Sequence, residues 1–435
     1  MSTRFELPGG AVGFVESSSV VPLVSLSLSL RSGALADPDG KDGLSRLTAR
    51  MMRRGCEGMT SSDIESAVDR LGGEIGFDVG PSTISVHAQV IRRNLEPFCD
   101  LLTRVIGTPK FDEAELERLK RETVAELLDA RDNDRSLAAM AFRRALFAGH
   151  PYARSAAGRP KSIPSLTRED VVSTYARRFV RPDAVIGFAG AVSDAEAMRL
   201  GALLVGSLSE GPRVESVLPE PARPTGRHLV FVDKPDRTQT QVLIGTLGTH
   251  ARDPDHWPLV AATAVFGGTF TSRMMREIRS KRGWSYGTSA RLSIERRRHA
   301  FTMSAAPGVA DCAPCVALEL ALLEDLVAKG ITARELAFIK NYLVRSHAFE
   351  IDTAPKRLGQ ALESELLDLP ADYHTRYLDH VRAVTLEDAN ASLRARLTPK
   401  DLVVVVLGTA ARTLEPVEKA IGGLADHRVV PFDQD

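Results

Sequence analysis

The clearest pattern in the chain is a strict alternation of apolar and polar residues over positions 24–30. Every second residue there is valine or leucine, and the residues between are serines. This period of two predicts a β-strand with one buried face. Two further runs, residues 184–189 and 402–407, are almost entirely apolar and are followed by glycine. Such runs predict strands that are buried within a sheet.

Residues that start and end helices mark several segments between these strands. Asp112 and Thr332 are placed as N-caps of long helices. Ser62 with Glu65 reads as a capping box for a helix with one apolar face, and the glycines at 72–73 predict its end. The chain therefore combines strands with amphipathic helices.

The last part of each half of the chain repeats without a gap. Residues 167–170 align with 385–388 at an offset of 218 (385 minus 167), and Gly190 and Gly408 keep the same offset. The two long-helix N-caps continue the pairing upstream at an offset of 220 (332 minus 112). A repeat on this scale indicates two copies of one domain.

These elements predict the α+β class with two homologous domains. Strands, then several helices, then a final strand give each domain a mostly antiparallel sheet with helices packed on one face. Four prolines between the halves favour a stiff linker. We predict an N-terminal domain over 1–210, a linker over 211–226 and a C-terminal domain over 227–435. Two such domains can face each other across a cavity and move relative to each other.

Charge and hydropathy argue against some classes of partner. The 56 lysines and arginines equal the 56 aspartates and glutamates, so the balance indicates neither a nucleic acid nor a membrane surface as partner. No apolar run is long enough to span a bilayer, and the N-terminus lacks the apolar segment of a secretory signal. We expect a cytoplasmic protein, although a trimmed form of a protein exported to the periplasm would begin in the same way.

The four cysteines do not form a disulfide framework and fit a reducing compartment. Cys312 and Cys315 form a C-A-P-C at the start of an apolar helix, where the helix end would stabilise a thiolate. No thioredoxin-like strand precedes the pair, and no second pair completes a zinc site. Two half-buried structural residues are therefore favoured over a redox pair.

The stretch Gly-Leu-Ser-Arg-Leu-Thr-Ala-Arg at residues 43–50 carries a resemblance to a known family. The duplicated arrangement, with a helix beginning near residue 43 and a long capped helix near residue 112, is similar to the pitrilysin-type zinc peptidases. These include mitochondrial processing peptidase and insulin-degrading enzyme. Their zinc motif is an inverted H-x-x-E-H, with a third ligand, a glutamate, about 76 residues further on. The resemblance places Arg46 and Arg50 at the two histidine positions, Ala49 at the general base, and Glu126 near the third ligand.

Those residue types are unsuited to zinc. A guanidinium stays protonated and has no lone pair for a metal, so Arg46 and Arg50 cannot replace histidines. Ala49 cannot act as a base, and we expect Glu126, in a helix rich in charges, to be a solvated side chain. The ten histidines are scattered without zincin spacing. We predict no metal and no cofactor in this chain.

The second half keeps more of the family's pattern. Arg279 and Tyr286 are seven positions apart (286 minus 279), with Gly283 placed as a helix end between them. A basic run alone is typical of a solvated helix face. With the preceding glycine turn and helix, however, this stretch resembles the family's R-E-x-R-x-K-x-G-L-x-Y, with Trp284 where a smaller apolar residue is common. The resemblance implies that Arg279 and Tyr286 complete the active site from the other domain.

The resemblance also implies a role for the whole chain. Gly267 and Gly268 are expected to line the substrate chamber, and the arginine and tyrosine are strong donors that would stabilise the oxyanion of peptide hydrolysis. We expect a subunit that is inactive alone, paired with a homologous zinc-bearing peptidase subunit in a heterodimer. Its substrate would be an unfolded peptide added to a sheet edge. The alternative is a structural or peptide-holding subunit, like the core proteins of respiratory complexes, that makes no catalytic contribution.

Overall fold

The alternating segment near the N-terminus forms the strand that its pattern predicts. We describe the fold from a computed structural model, which describes residues 2–213 and 218–434. The segment lies in the strand Leu23–Leu30, and its apolar residues from position 24 onward are buried. The two apolar runs form the strands Ala184–Gly190 and Leu402–Gly408, in which every residue is buried.

The first half of the chain departs from the predicted order of strands, then helices, then a final strand: two helices lie among the early strands, and one helix follows the last strand. Among residues 2–213 its strands are β1 (Thr3–Glu6), β2 (Val12–Ser17), β3 (Leu23–Leu30), β4 (Gly55–Cys56), β5 (Met59–Thr60), β6 (Gly73–Val79), β7 (Ile84–Ile91) and β8 (Ala184–Gly190). Its helices are α1 (Leu44–Met51), α2 (Ser61–Leu71), α3 (Leu95–Gly107), α4 (Glu113–Asp129), α5 (Asp134–Leu146), α6 (Arg168–Arg178) and α7 (Asp194–Gly206).

The second half repeats this plan. Among residues 218–434 its strands are β9 (Arg227–Asp233), β10 (Gln241–Leu247), β11 (Thr288–Leu292), β12 (Ala300–Ala305), β13 (Leu402–Gly408) and β14 (Leu424–Pro431). Its helices are α8 (His256–Thr263), α9 (Cys312–Lys329), α10 (Ala333–Ser346), α11 (Ala354–Leu366), α12 (Tyr377–Ala383), α13 (Leu386–Arg396) and α14 (Ala410–Ile421). Two segments, Ala264–Gly268 and Met275–Ser280, are π-helical.

Each half has one six-stranded, mostly antiparallel sheet, which confirms the α+β prediction. The first sheet has the order β1-β2-β8-β3-β7-β6, and only the β2–β8 pair is parallel. The second has the order β11-β12-β10-β13-β9-β14, in which β9 is parallel to both of its neighbours. The small ribbon of β4 and β5 stands apart from both.

The repeat found in the sequence is reproduced at the level of single residues. Thr167 and Thr385 both accept a hydrogen bond at the start of their helices, α6 and α13, and the two buried strands keep the offset of 218. Asp112 and Thr332 are the predicted N-caps of α4 and α10. The predicted capping box of α2 was misplaced by two residues: Thr60 and Asp63 form it, because Thr60 has the extended backbone that an N-cap needs.

Helices of each half pack on one face of its own sheet, as predicted, and the opposite face receives one helix from the other half. Helix α5 of the first half packs Leu137, Phe142 and Leu146 against Val403 and Val405 of β13. Helix α11 of the second half lies correspondingly on β2 and β8. Because both faces of β8 and β13 are covered, these strands carry the almost unbroken apolar runs seen in the sequence.

An ion pair fixes each exchanged helix to the other half. Lys234, which follows β9 and is 4% exposed, donates to Asp134 of α5 at 2.7 Å. Arg357 of α11 donates to Glu16 of β2 at 2.7 Å. In one link the strand side carries the cation and the exchanged helix the anion, and in the other link the charges are reversed.

The predicted linker, 211–226, has no helix or strand in its described part. Its described residues contact both halves: the carbonyl of the buried Leu218 accepts a hydrogen bond from Arg297 Nε at 2.8 Å, and the Pro219 carbonyl lies 3.0 Å from His150 Nε2. The domain boundary placed there stays a prediction. Across the described residues, no helix is both long and apolar enough to cross a bilayer.

Candidate functional site

Helix α1 carries the stretch that aligns with the family's zinc motif. Its apolar face packs into the first core through Leu44, Leu47 and Met51, and Ala49 is also fully buried. The remaining positions place Arg46 and Arg50, one helical turn apart, on the outer side of the helix toward α4. Two cations thus stand side by side at this point.

Glu126 of α4 meets these two arginines. Arg50 binds it in a bidentate manner, with Nη1 and Nη2 at 2.9 and 2.6 Å from the carboxylate oxygens, and Arg46 Nη2 lies 3.5 Å away. Arg50 also donates to Thr123 Oγ1 at 3.1 Å. Glu126 is 44% exposed, in keeping with the expected solvated side chain, and its carboxylate is in addition the anion of an ion-pair cluster.

The donor set of this cluster does not fit zinc. Two guanidiniums offer hydrogen-bond donors but no lone pair, and they hold the one available carboxylate. Burial lowers the pKa of Arg46, but the side chain remains a cation at any physiological pH. Within residues 2–213 and 218–434, no three His, Cys, Asp or Glu side chains are grouped so that they could hold a metal ion.

The second-half motif begins with a close contact between a glycine and a strand. Gly267 is the penultimate residue of the π-helical segment Ala264–Gly268, and a Cβ atom on it would lie 2.1 Å from the backbone nitrogen of Ala290 in β11. No larger residue fits there without moving the strand. Gly268, by contrast, would place a Cβ 3.2 Å from Ala264. Both glycines line the same cleft.

Arg279 lies on the second π-helical segment, Met275–Ser280, where an ordinary α-helix was expected. The buried side chains of Met275 and Ile278 anchor that segment. Gly283 has a φ of 66° and donates its N–H to the Arg279 carbonyl at 2.9 Å, so it ends the helix as predicted. Tyr286 lies in the loop two residues before β11 begins at Thr288, near the strand but not part of it.

The basic run around Arg279 is mostly neutralised by neighbouring carboxylates. Arg273 binds Glu335 with two donors at 2.8 and 2.7 Å. Three more cations surround Glu277, whose pKa is lowered, first of all by the hydrogen bond from Lys281; they are Arg276 at 3.5 Å, Lys281 at 2.8 Å and Arg282 at 3.1 Å. These four cations are accounted for by ion pairs on the helix surface.

Arg279 differs from the rest of the run. In the part of the chain that the structure describes, its guanidinium has no hydrogen bond or ion pair with a protein group. Its Cζ lies 4.9 Å from the ring centroid of Tyr286 and 5.5 Å from that of Phe270. These two rings are 87% and 79% exposed. An unpaired cation held between two exposed aromatic rings is placed to meet a ligand.

These groups open into a cleft of about 640 Å³. Its floor is the face of β10, β11 and β12 against which α5 packs, and one wall is the N-terminal part of α5 from the first half. The cluster of Arg46, Arg50 and Glu126 lines a different cleft, of about 550 Å³, and the two clefts share no lining residue. The structure thus brings Arg279, Tyr286, Gly267 and Gly268 together but does not join them to the degenerate zinc motif.

Sequence reasoning missed three residues of this cleft. Phe270 was quoted within the motif but given no role, and only its placement beside Arg279 reveals one. Arg135 of α5 and Arg291 of β11 also line the cleft. They lie far from the motif in sequence, and no local signal distinguishes them from other arginines.

The cysteine pair lies in the core of the second half. Cys312 and Cys315 are fully buried in the first turn of α9, not half-buried. Burial raises the pKa of the Cys312 thiol to about 11 and raises that of Cys315 further. Desolvation therefore outweighs any stabilisation of a thiolate by the helix end. Trp284, the other residue singled out, packs against the second core, and Arg282 Cζ lies 5.4 Å from its ring centroid.

Comparison with known proteins identifies the class. Residues 14–159 match the family described as insulinase (peptidase family M16), and residues 165–343 match the family described as the peptidase M16 inactive domain. The chain belongs to peptidase family M16, which confirms the pitrilysin-type resemblance.

Individual relatives span nearly the whole chain. An uncharacterized zinc protease of Mycobacterium leprae is 28% identical over 94% of this chain and 92% of its own length. The non-peptidase homolog YmxG of Helicobacter pylori is 20% identical over 90% of both proteins. A crystal structure of a peptidase M16 inactive domain from Pseudomonas fluorescens superposes with a TM-score of 0.86 at 24% identity, covering 94% of this chain and 98% of that one, a likeness of fold. Together with the replaced motif, these matches support a non-catalytic M16 subunit.

Proposed function

We propose that this chain is the zinc-free subunit of a heterodimeric M16 peptidase and that it donates Arg279 and Tyr286 to the active site of a zinc-bearing homologous partner. The observation that carries the proposal is the unpaired guanidinium of Arg279 between two exposed rings. Four neighbouring cations have carboxylate partners within the chain. A free cation in the same segment is suited to an anion that arrives from outside.

The division of labour follows from the chemistry of each site. The partner would supply the zinc that activates the attacking water. It would also supply the base that takes the proton of that water. Hydrolysis of a peptide develops negative charge on the carbonyl oxygen, and donors fixed near that oxygen lower the barrier. A guanidinium and a phenol are such donors. The buried side chains of Met275 and Ile278 anchor the π-helical segment and so fix the position of Arg279.

The cluster at the degenerate motif supports the other half of the proposal. Arg46 and Arg50 hold Glu126 where an active family member is expected to bind its metal. A cation bound to the carboxylate takes the electrostatic place of the metal but can neither activate water nor polarise a carbonyl as a Lewis acid. In this proposal the chain is therefore inactive by itself.

The proposal is tested by reconstitution with an M16 subunit that carries an intact H-x-x-E-H motif. The purified chain should contain far less than one zinc per chain by mass spectrometry of the metal, and it should not cleave an unfolded peptide. The complex should cleave the peptide, and Arg279→Ala or Tyr286→Phe should each lower its turnover by about 10²-fold.

Arg276→Ala is the matched control, because Arg276 lies on the same segment but faces Glu277 outside the cleft. It should leave turnover unchanged. Full turnover in the Arg279→Ala and Tyr286→Phe complexes would refute the catalytic contribution. That result would favour the alternative of a structural or peptide-holding subunit.

A further inference from the structure

Three arginines, Arg279 among them, line the same cleft, and no acidic side chain of the described residues lines it with them. Arg135 comes from α5 of the first half, Arg291 from the edge strand β11, and Arg279 from the π-helical segment. No aspartate or glutamate is among the described residues that line the cleft. Nor does any of the three guanidiniums make a hydrogen bond or ion pair with a group in residues 2–213 or 218–434.

This local excess is not a property of the whole chain. Positive and negative side chains are equal in number at 56 each. In the neighbouring cleft at the degenerate motif, arginines also cluster, but they are paired: Arg50 with Glu126 at 2.6 Å, Arg53 with Glu65 at 2.6 Å. The cleft beside Arg279 is therefore cationic because its arginines lack partners, and an incoming anion would not have to displace an internal one.

The floor of the cleft is suited to an extended chain. Ser289 of β11 and Ser304 of β12 face each other with their hydroxyl oxygens 3.1 Å apart, and Gln241 of β10 adds an amide. Hydroxyl and amide groups can donate to and accept from the backbone of a bound peptide. Strand β11 is the edge of its sheet, and its Arg291 side chain is exposed at that edge.

We infer that this cleft selects peptides that carry acidic side chains and that Arg135 and Arg291 are its specificity-determining residues. The inference rests on the proposed function for the nature of the occupant, a peptide, and adds the chemistry by which that peptide is chosen. Guanidiniums bind carboxylates in a planar, two-donor geometry. Arg279 remains free to act on the scissile carbonyl, while the two exposed arginines hold acidic side chains on either side of it.

A nucleic acid is a poorer occupant for the same cleft. Nucleic-acid affinity grows with the number of phosphates that are neutralised, which requires an extended basic surface. Here three cations are confined to one cleft of a chain whose net charge is zero. The hydrogen-bonding floor and the sheet edge instead match the backbone groups of a peptide.

Binding of labelled peptides to the full isolated chain tests this inference without any catalytic step. The probes are an unstructured, fluorescein-labelled peptide rich in glutamate and a twin in which every glutamate is replaced by glutamine. Each exposed guanidinium–carboxylate pair strengthens binding by about two- to fivefold. For the two arginines together, fluorescence anisotropy should therefore show about four- to 25-fold tighter binding of the acidic peptide at low salt. The difference should shrink as the salt concentration rises.

Matched variants assign the preference to the cleft. The double variant Arg135→Gln, Arg291→Gln should lose most of the preference and keep its circular dichroism spectrum, because both side chains are exposed. Arg276→Gln, an exposed arginine outside the cleft, should keep it. Equal binding of the twin peptides, or an unchanged preference in the double variant, would overturn the inference, and so would tighter binding of a single-stranded oligonucleotide. Since Arg279 and Tyr286 are intact in these variants, failure here leaves the turnover test of the proposed function unaffected.

Discussion

Glu319 of α9 is a carboxyl group in the core of the second half, and it yields a quantitative prediction. Its side chain is 0% exposed, and within the described residues neither of its oxygens has a hydrogen-bond partner. Cys315 and Cys312 lie about one and two turns before it on the same helix and are buried thiols that stay neutral. Desolvation raises the pKa of Glu319 to about 8. The group is therefore protonated in the folded chain at neutral pH.

The size of the effect follows from the difference between the folded and unfolded pKa values. The unfolded value is 4.5 and the folded value about 8. Since the folded state binds the proton more tightly, the contribution to stability is complete below pH 4.5 and is lost as pH rises through 8. Between pH 5 and pH 8 the free energy of unfolding should fall by roughly 3 kcal/mol from this group alone.

Replacement of Glu319 by glutamine isolates this contribution, because the amide has nearly the same shape but does not ionise. Both tryptophans of the chain, Trp257 and Trp284, pack against the second core, so their fluorescence reports the unfolding of that half in urea. The wild-type chain should lose about 3 kcal/mol more stability than Glu319→Gln between pH 5 and pH 8. Parallel pH profiles for the two proteins would refute the reasoning.

Two further substitutions probe the frame around the sites. Arg178 is buried and donates to the buried Asp37 at 3.1 Å. Its replacement by methionine should lower the stability of the first half by about 3–5 kcal/mol, because the Asp37 charge stays buried without a partner. Urea unfolding followed by circular dichroism measures this, and the exposed Arg177→Met should change little. Gly267→Ala should destabilise the second half by about 1–3 kcal/mol, since its Cβ would lie 2.1 Å from a backbone nitrogen of β11. Gly268→Ala, with 3.2 Å of room, should cost much less, and equal tryptophan-detected midpoints for the two variants would contradict the close approach.

Local signals in the sequence predicted local structure well. The N-caps Asp112 and Thr332 begin their helices as predicted, because a capping side chain acts within one helical turn. The placement of the α2 cap failed because two overlapping Ser/Thr-x-x-Asp/Glu patterns compete there. Only the backbone conformation at Thr60 decides between them.

Long-range partners could not be predicted in the same way. The apolar stripes of α5 and α11 indicate that each helix is buried, but a stripe does not specify which sheet covers it. The ion pair of Arg50 with Glu126 was not foreseen either, because the local sequence does not specify a partner 76 positions away. Arg135 and Arg291 line one cleft because α5 packs on the sheet of the other half. The sequence around each arginine does not predict this.

The exchange of α5 and α11 has a mechanical consequence. Separation of the two halves would remove a helix from each sheet and expose the apolar surfaces of β8 and β13. It would also break the ion pairs of Lys234 and Glu16. Relative motion of the halves, the expectation for two domains on a linker, would therefore cost the burial of these surfaces. In the heterodimer proposed above, a gate that admits a peptide would then open at the border with the partner.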